Sequence, residues 1–123
     1  MTNTFLNLSL LASSTWSPIA GGITSPDGFL AAGISAGLKP SGKKDLALLY
    51  VPYGSCCSGT FTQSAARAYC VDLCIDRLKS SQGKIRAVII NAGQANACTG
   101  ERGKIDSELI THELAQGLGL SDK

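Results

Sequence analysis

Residues 70–118 constrain the fold most, because three hydrophobic periods follow one another there with little between them. Cys70, Val71, Cys74, Ile75 and Leu78 recur at helical spacing and share one face of an α-helix, with Asp72, Asp76, Arg77 and Lys79 outside it. Gln82-Gly83 ends that helix, and the β-branched run at residues 85–90 reads as a strand. A polar loop follows, Asn91-Ala92-Gly93-Gln94-Ala95-Asn96-Ala97-Cys98-Thr99-Gly100. Beyond it, Ile105, Leu109, Ile110, Leu114 and Leu118 share a face, which predicts a second helix over residues 102–118, with Gly119 suited to a left-handed C-terminal cap.

Upstream the signals are shorter. Pro26-Asp27-Gly28 is a turn signal, and the Ala- and Gly-rich residues 29–38 after it fit either a strand that another backbone approaches closely or a glycine-rich loop. Lys39-Pro40-Ser41-Gly42-Lys43-Lys44 is a polar reversal leading into residues 46–51, a continuous apolar run that reads as a buried strand. Residues 52–55 are expected to break it. Residues 57–63 alternate around Phe61 and are expected to form a second strand, antiparallel to the first. Strand pairs followed by helix, strand and helix predict an α/β fold with helices and sheet packed in layers.

Residues 1–20 read as an irregular lead-in, so the domain proper occupies residues 21–123. The apolar run at residues 5–12 is too short to span a membrane and has no basic segment before it. A chain of 123 residues has room for one core. Fourteen glycines against 6% aromatic residues mean many turns and few bulky anchors, a balance that calls for a partner surface.

Eleven basic residues are interspersed with nine acidic ones, and none precedes Lys39. That distribution gives no footprint for nucleic acid, and no segment suits a membrane. Five cysteines without paired metal-ligand spacing read as reduced thiols of a cytoplasmic protein. Cys70 and Cys74 fall on the apolar helix face, where free cysteine behaves as a small hydrophobe, so no metal is expected. Cys56-Cys57 reads as core and turn packing.

A Ser or Cys triad needs an imidazole held beside the nucleophile, and the only histidine, His112, lies inside a predicted helix next to Glu113 with nothing local to orient it. The loop before that helix is not a phosphate loop, since Gly93 and Gly100 enclose six residues and Glu101 follows. Asn91, Gln94 and Asn96 offer neutral hydrogen-bonding groups at a strand end, where ligands are often met. The alternative is a turn whose Asn side chains bond their own backbone.

Residues 91–100 resemble the asparagine-rich signature of the ornithine acetyltransferase family, the bifunctional glutamate N-acetyltransferases of arginine biosynthesis. The resemblance extends through Gly22-Ile23-Thr24-Ser25-Pro26-Asp27-Gly28-Phe29, Ala31-Ala32-Gly33-Ile34, Ser41-Gly42-Lys43-Lys44-Asp45-Leu46-Ala47-Leu48, Ser58-Gly59-Thr60-Phe61-Thr62 and the helix at residues 70–78. These motifs stand in the family's order and are spread over about residues 18–120, nearly the whole chain.

The resemblance implies a cytoplasmic enzyme with the layered αββα sandwich of self-cleaving acetyltransferases and aminopeptidases, of which these residues form part. It moves acetyl from N2-acetylornithine to glutamate, with acetyl-CoA as a further donor in bifunctional members and no resident cofactor. In that family the precursor cleaves itself, and the new N-terminal threonine of the β-chain becomes the nucleophile, its own amine available as base. A Thr-Gly pair in another segment forms the oxyanion hole. Both elements lie downstream of the signature, so the resemblance assigns no catalytic residue to these 123 positions, and Thr99-Gly100 is not that pair. The expected role is the N-terminal part of an α-chain partnered by the β-chain, inactive alone, with Asn91, Gln94 and Asn96 as supporting polar groups. The rival expectations are a non-catalytic α/β binding or regulatory domain and a related self-cleaving aminopeptidase.

Overall fold

A computed structural model of the chain describes residues 17–121. Most of the lead-in expected over residues 1–20 therefore lies outside the described residues, and residues 17–20 within them form no helix or strand. The elements are β1 (Leu30–Ile34), β2 (Leu46–Cys56), α1 (Tyr69–Ser80), β3 (Lys84–Asn91) and α2 (Gly100–Gly117). The three strands form one antiparallel sheet in the order β1-β2-β3. The α/β expectation holds.

The Pro-Asp-Gly turn forms, with the Phe29 N–H donating to the Pro26 carbonyl at 3.2 Å, and β1 follows it directly. Of residues 29–38 only Leu30–Ile34 are strand, and the rest opens into the connection to β2.

β2 corrects two expectations. The strand does not stop at Pro52 but runs on to Cys56, because its register against β3 slips between Tyr50 and Ser55. Residues 51–54 of β2 then oppose Arg86 alone, so Pro52 sits in a bulge where no ladder N–H is required. The Arg86 guanidinium donates to the Pro52 carbonyl, and Gly54 supplies the positive φ of +85° that the bulge uses.

The second correction is that residues 57–63 are not a strand. β2 is the central strand, with β1 and β3 already on its two edges, so no edge is left for that segment. Its hydroxyls take up backbone donors instead: Ser64 N–H donates to Thr62 Oγ1 at 3.2 Å and Ala66 N–H to Ser64 Oγ at 3.2 Å.

Both helices appear where the periodicity placed them, within two residues at each end. Each ends in a paired reversal of the chain. Leu120 N–H donates to the Ala115 carbonyl and Gly119 N–H to that of Gln116, with Gly119 at φ +63°. After α1, Gly83 N–H donates to the Leu78 carbonyl and Gln82 N–H to that of Lys79, with Gln82 itself left-handed at φ 53°. Tyr69 on α1 donates its hydroxyl to Glu108 Oε1 on α2 at 2.8 Å, a hydrogen bond between the two helices.

Rows of the sheet alternate faces, and both faces are apolar. Leu48 lies between Ala32 and Ile89, and the next row sets Leu49 between Ala31 and Val88. A sheet of that composition is built to be covered on both sides. Among the described residues, however, only Val51 and Ala115 are buried apolar side chains. Ile105, Leu109 and Ile110 of α2 remain 52%, 53% and 45% exposed. Covering each would contribute on the order of 1 kcal/mol, so much of the apolar surface lacks its complement.

Candidate functional site

The amide-bearing segment begins where the sheet ends. Asn91 closes β3 opposite Leu46, and the next residue, Ala92, donates its N–H to the Asp45 carbonyl at 2.8 Å. Gly93 follows at φ +103°. A side chain there would start 2.7 Å from Lys39 Cγ and 3.4 Å from the Leu38 carbonyl oxygen, so the loop lies directly on the connection between β1 and β2. Cys98 adopts φ 60°, uncommon for a residue with a Cβ, and Gly100 at φ +59° starts α2. The Thr99 hydroxyl turns back to the Asn96 carbonyl at 2.9 Å and does not cap the helix.

The structure thus puts Asn91 at the end of β3 and Gln94 and Asn96 on the loop that follows it, all at one end of the sheet. Asn91 and Gln94 are exposed and Asn96 is half-buried. Among the described residues none of the three side-chain amides is hydrogen-bonded to protein, so they are not consumed in holding the loop. Of the two readings of this segment, the self-bonded asparagine turn is the one that does not form. What remains is a set of amides able both to donate to and to accept from a polar solute.

One residue that sequence reasoning did not single out is buried and hydrogen-bonded at this end of the sheet. Asp45 is only 3% exposed, the lowest value among the buried residues described. Its Oδ1 accepts the Ala36 N–H at 2.6 Å and its Oδ2 the Lys39 N–H at 2.8 Å. Those bonds, Ala36 first and Lys39 second, stabilise the charged carboxylate and hold its pKa below the usual range. Its own N–H donates to Ile34 at 3.0 Å. The local signal was slight: a lone carboxylate between two lysines and an apolar run.

The other candidates resolve simply. His112 is exposed on α2, its Nε2 lying 2.8 Å from Gln116 Nε2. It lines a shallow groove between the helices with Tyr69, Asp76 and Glu108. The Glu108 hydrogen bond pushes the Tyr69 pKa up, keeping its proton in place. All five cysteines are free thiols. Cys56 and Cys74 are exposed where core packing was expected, because Cys56 ends the strand at the surface and the α1 face carrying Cys74 is incompletely covered. Partial desolvation against the rest of the α1 face, with Cys70 and Cys57 nearby, raises the Cys74 pKa and disfavours its thiolate. No cluster suited to a metal ion occurs among the described residues.

A three-stranded antiparallel sheet with two helices, presenting an amide loop at the end of β3, defines the class as an α/β scaffold. Its relatives are specific. The ArgJ family model matches residues 30–123. The chain is 80% identical over 123 residues to the arginine biosynthesis bifunctional protein ArgJ of Prochlorococcus marinus strain NATL2A, covering all of this chain and 29% of that protein. It is 56% identical over 115 residues to the ArgJ protein of Parasynechococcus marenigrum strain WH8102, covering 94% of this chain and 28% of that one. Among solved structures, ArgJ of Bacillus halodurans superposes with a TM-score of 0.78 at 30% identity, over 83% of this chain and 52% of that one. The ornithine acetyltransferase of Mycobacterium tuberculosis, crystallised with ornithine, gives 0.74 at 40% identity over 80% and 50%. The chain belongs to the ArgJ family, and it spans less than a third of the length of these two ArgJ sequences.

Proposed function

We propose that these residues are the N-terminal part of an arginine-biosynthesis acetyltransferase that transfers acetyl from N2-acetylornithine to glutamate, with acetyl-CoA as a second donor in the bifunctional form. The observation that carries this reading is the 80% identity over 123 residues, covering all of this chain, to a protein named as the arginine biosynthesis bifunctional protein ArgJ. The uncovered apolar faces support it, since they suit a sheet meant to pack inside a larger αββα sandwich.

In this reading the threonine hydroxyl of a downstream β-chain attacks the acetyl carbonyl of acetylornithine. The amine of ornithine leaves with a proton, and the amine of glutamate then attacks the threonine ester, restoring the hydroxyl. The present residues supply framework and, through Asn91, Gln94 and Asn96, neutral polar groups beside the reaction. The partner is the β-chain of the same precursor, in a hetero-oligomer of α and β chains. The location is the cytoplasm, where the thiols stay reduced.

The test is the complete reading frame, expressed and supplied with acetylornithine and glutamate. Formation of ornithine and acetylglutamate in equal amounts is expected, with none from residues 1–123 alone. A complete protein that processes and folds yet transfers no acetyl would remove the assignment. Release of amines from peptides in its place would point to the aminopeptidase reading.

A further inference from the structure

We propose that Asp45 is the positioning residue for the amide loop at residues 91–99, its buried carboxylate fixing the platform at residues 36–39 on which that loop rests. The proposal builds on the acetyltransferase reading but is argued from the geometry of this end of the sheet.

Two structural links meet at Asp45. Its carboxylate closes the chain between β1 and β2 by accepting the N–H groups of Ala36 and Lys39, at 2.6 and 2.8 Å. Its carbonyl accepts the Ala92 N–H at 2.8 Å, which among the described residues is the hydrogen bond tying residues 92–98 to another segment. The remaining support is packing: Gly93 lies so close to Leu38 and Lys39 that a Cβ would stand 2.7 Å from Lys39 Cγ. The platform is closed from its far side as well, Lys39 Nζ donating to the Lys44 carbonyl at 3.1 Å and Gly42 N–H to the Lys39 carbonyl at 3.0 Å. The loop therefore takes its position from residues 36–39, two of whose N–H groups the Asp45 carboxylate holds.

Acceptor-only chemistry is required at this position. Both oxygens face N–H donors, and an asparagine in the same place would turn its NH₂ toward one of them, replacing a hydrogen bond by an opposition of donors. The left-handed Cys98 further along the loop is the kind of backbone conformation that persists only where the surroundings hold it. Released from its platform, the loop would retain its sequence and lose its placement. Amides beside a reacting centre contribute only when held in place, and displacement by about 1 Å can cost two orders of magnitude in rate.

The experiment uses the full-length enzyme with Asp45→Asn, Gly93→Ala as an independent disturbance of the same contact, and Gly83→Ala as a destabilised control remote from the loop. Acetyl transfer is measured well below each melting temperature, together with hydrogen exchange at the backbone amides of residues 94–99. Asp45→Asn and Gly93→Ala are expected to lower kcat/KM about tenfold or more and to speed loop exchange about tenfold or more. The control should change each by less than about twofold. Loop exchange at the wild-type rate in Asp45→Asn, or activity losses matching the control, would overturn the proposal. Should Asp45→Asn fail to fold, Gly93→Ala decides by the same criteria. A wild-type enzyme without acetyl transfer would sink the function instead, while the exchange measurement would still judge Asp45.

Discussion

The same substitution, glycine to alanine, should act in opposite directions at two places in this chain. At Gly83 the backbone is left-handed, with φ +75°, and a Cβ would stand 2.8 Å from the Cys57 carbonyl oxygen. The left-handed conformation costs a residue with a Cβ about 1–2 kcal/mol. The contact cannot open freely, because Cys57 N–H donates to the Gly83 carbonyl at 2.7 Å and separating the segments would weaken that bond, worth about 1 kcal/mol. Against these stands a gain of about 0.4–1 kcal/mol from a stiffer unfolded chain. The balance is a loss of roughly 2 kcal/mol, a fall in melting temperature of about 8 °C for a chain of 123 residues. At Gly117 the residue lies in the last turn of α2 and a Cβ would meet nothing within 4 Å. Alanine there should gain about 0.5–1 kcal/mol. Thermal unfolding followed by far-ultraviolet circular dichroism on the two variants measures the contrast. Melting temperatures that shift the same way, or a Gly83→Ala protein as stable as wild type, would refute the account of the α1–β3 junction.

Three smaller outcomes are expected. Gln82→Gly should stabilise by about 0.5–1 kcal/mol, since a left-handed cap is relieved at the cost of a looser unfolded chain; urea midpoints are the measurement. Ser81 Oγ is buried without a hydrogen-bond partner among the described residues, so Ser81→Ala should be neutral or stabilising by about 1 kcal/mol in the same titration. Asp45 has a folded pKa below its unfolded one, so its contribution is complete above the ordinary carboxylate range near pH 4 and drains away as pH falls through the lower folded value. Melting temperature against pH should therefore fall less steeply on the acid side in Asp45→Asn than in wild type.

How much could be read from sequence depended on how local each determinant is. α1 and α2 were legible because a 3.6-residue period and a capping glycine are written into consecutive positions, and β3 because its β-branched run is bounded by Gly83 and the polar loop. Pro52 misled because the penalty it carries in a strand vanishes at a bulge, and the bulge exists only through β2's register against Lys84–Asn91. Residues 57–63 alternate like a strand, but pairing needs a vacant edge, and the neighbours of β2 come from both sides of it in the chain. The amide loop was recognised by its side chains, whereas Asp45 was passed over: its importance rests on N–H groups six and nine residues earlier and on Ala92 far downstream. No window of sequence brings those together.

The two-sided apolar character of the sheet also limits how this segment can drift. In a hairpin with one wet face, every second position accepts a lysine with little penalty, and half of each strand is open to change. Residues 46–50 have no such parity: stepping along them one at a time alternates between two greasy sides, so a polar scan should find resistance at each step. The solvent-facing positions of the helices, such as Asp76 and Lys79, carry no such penalty.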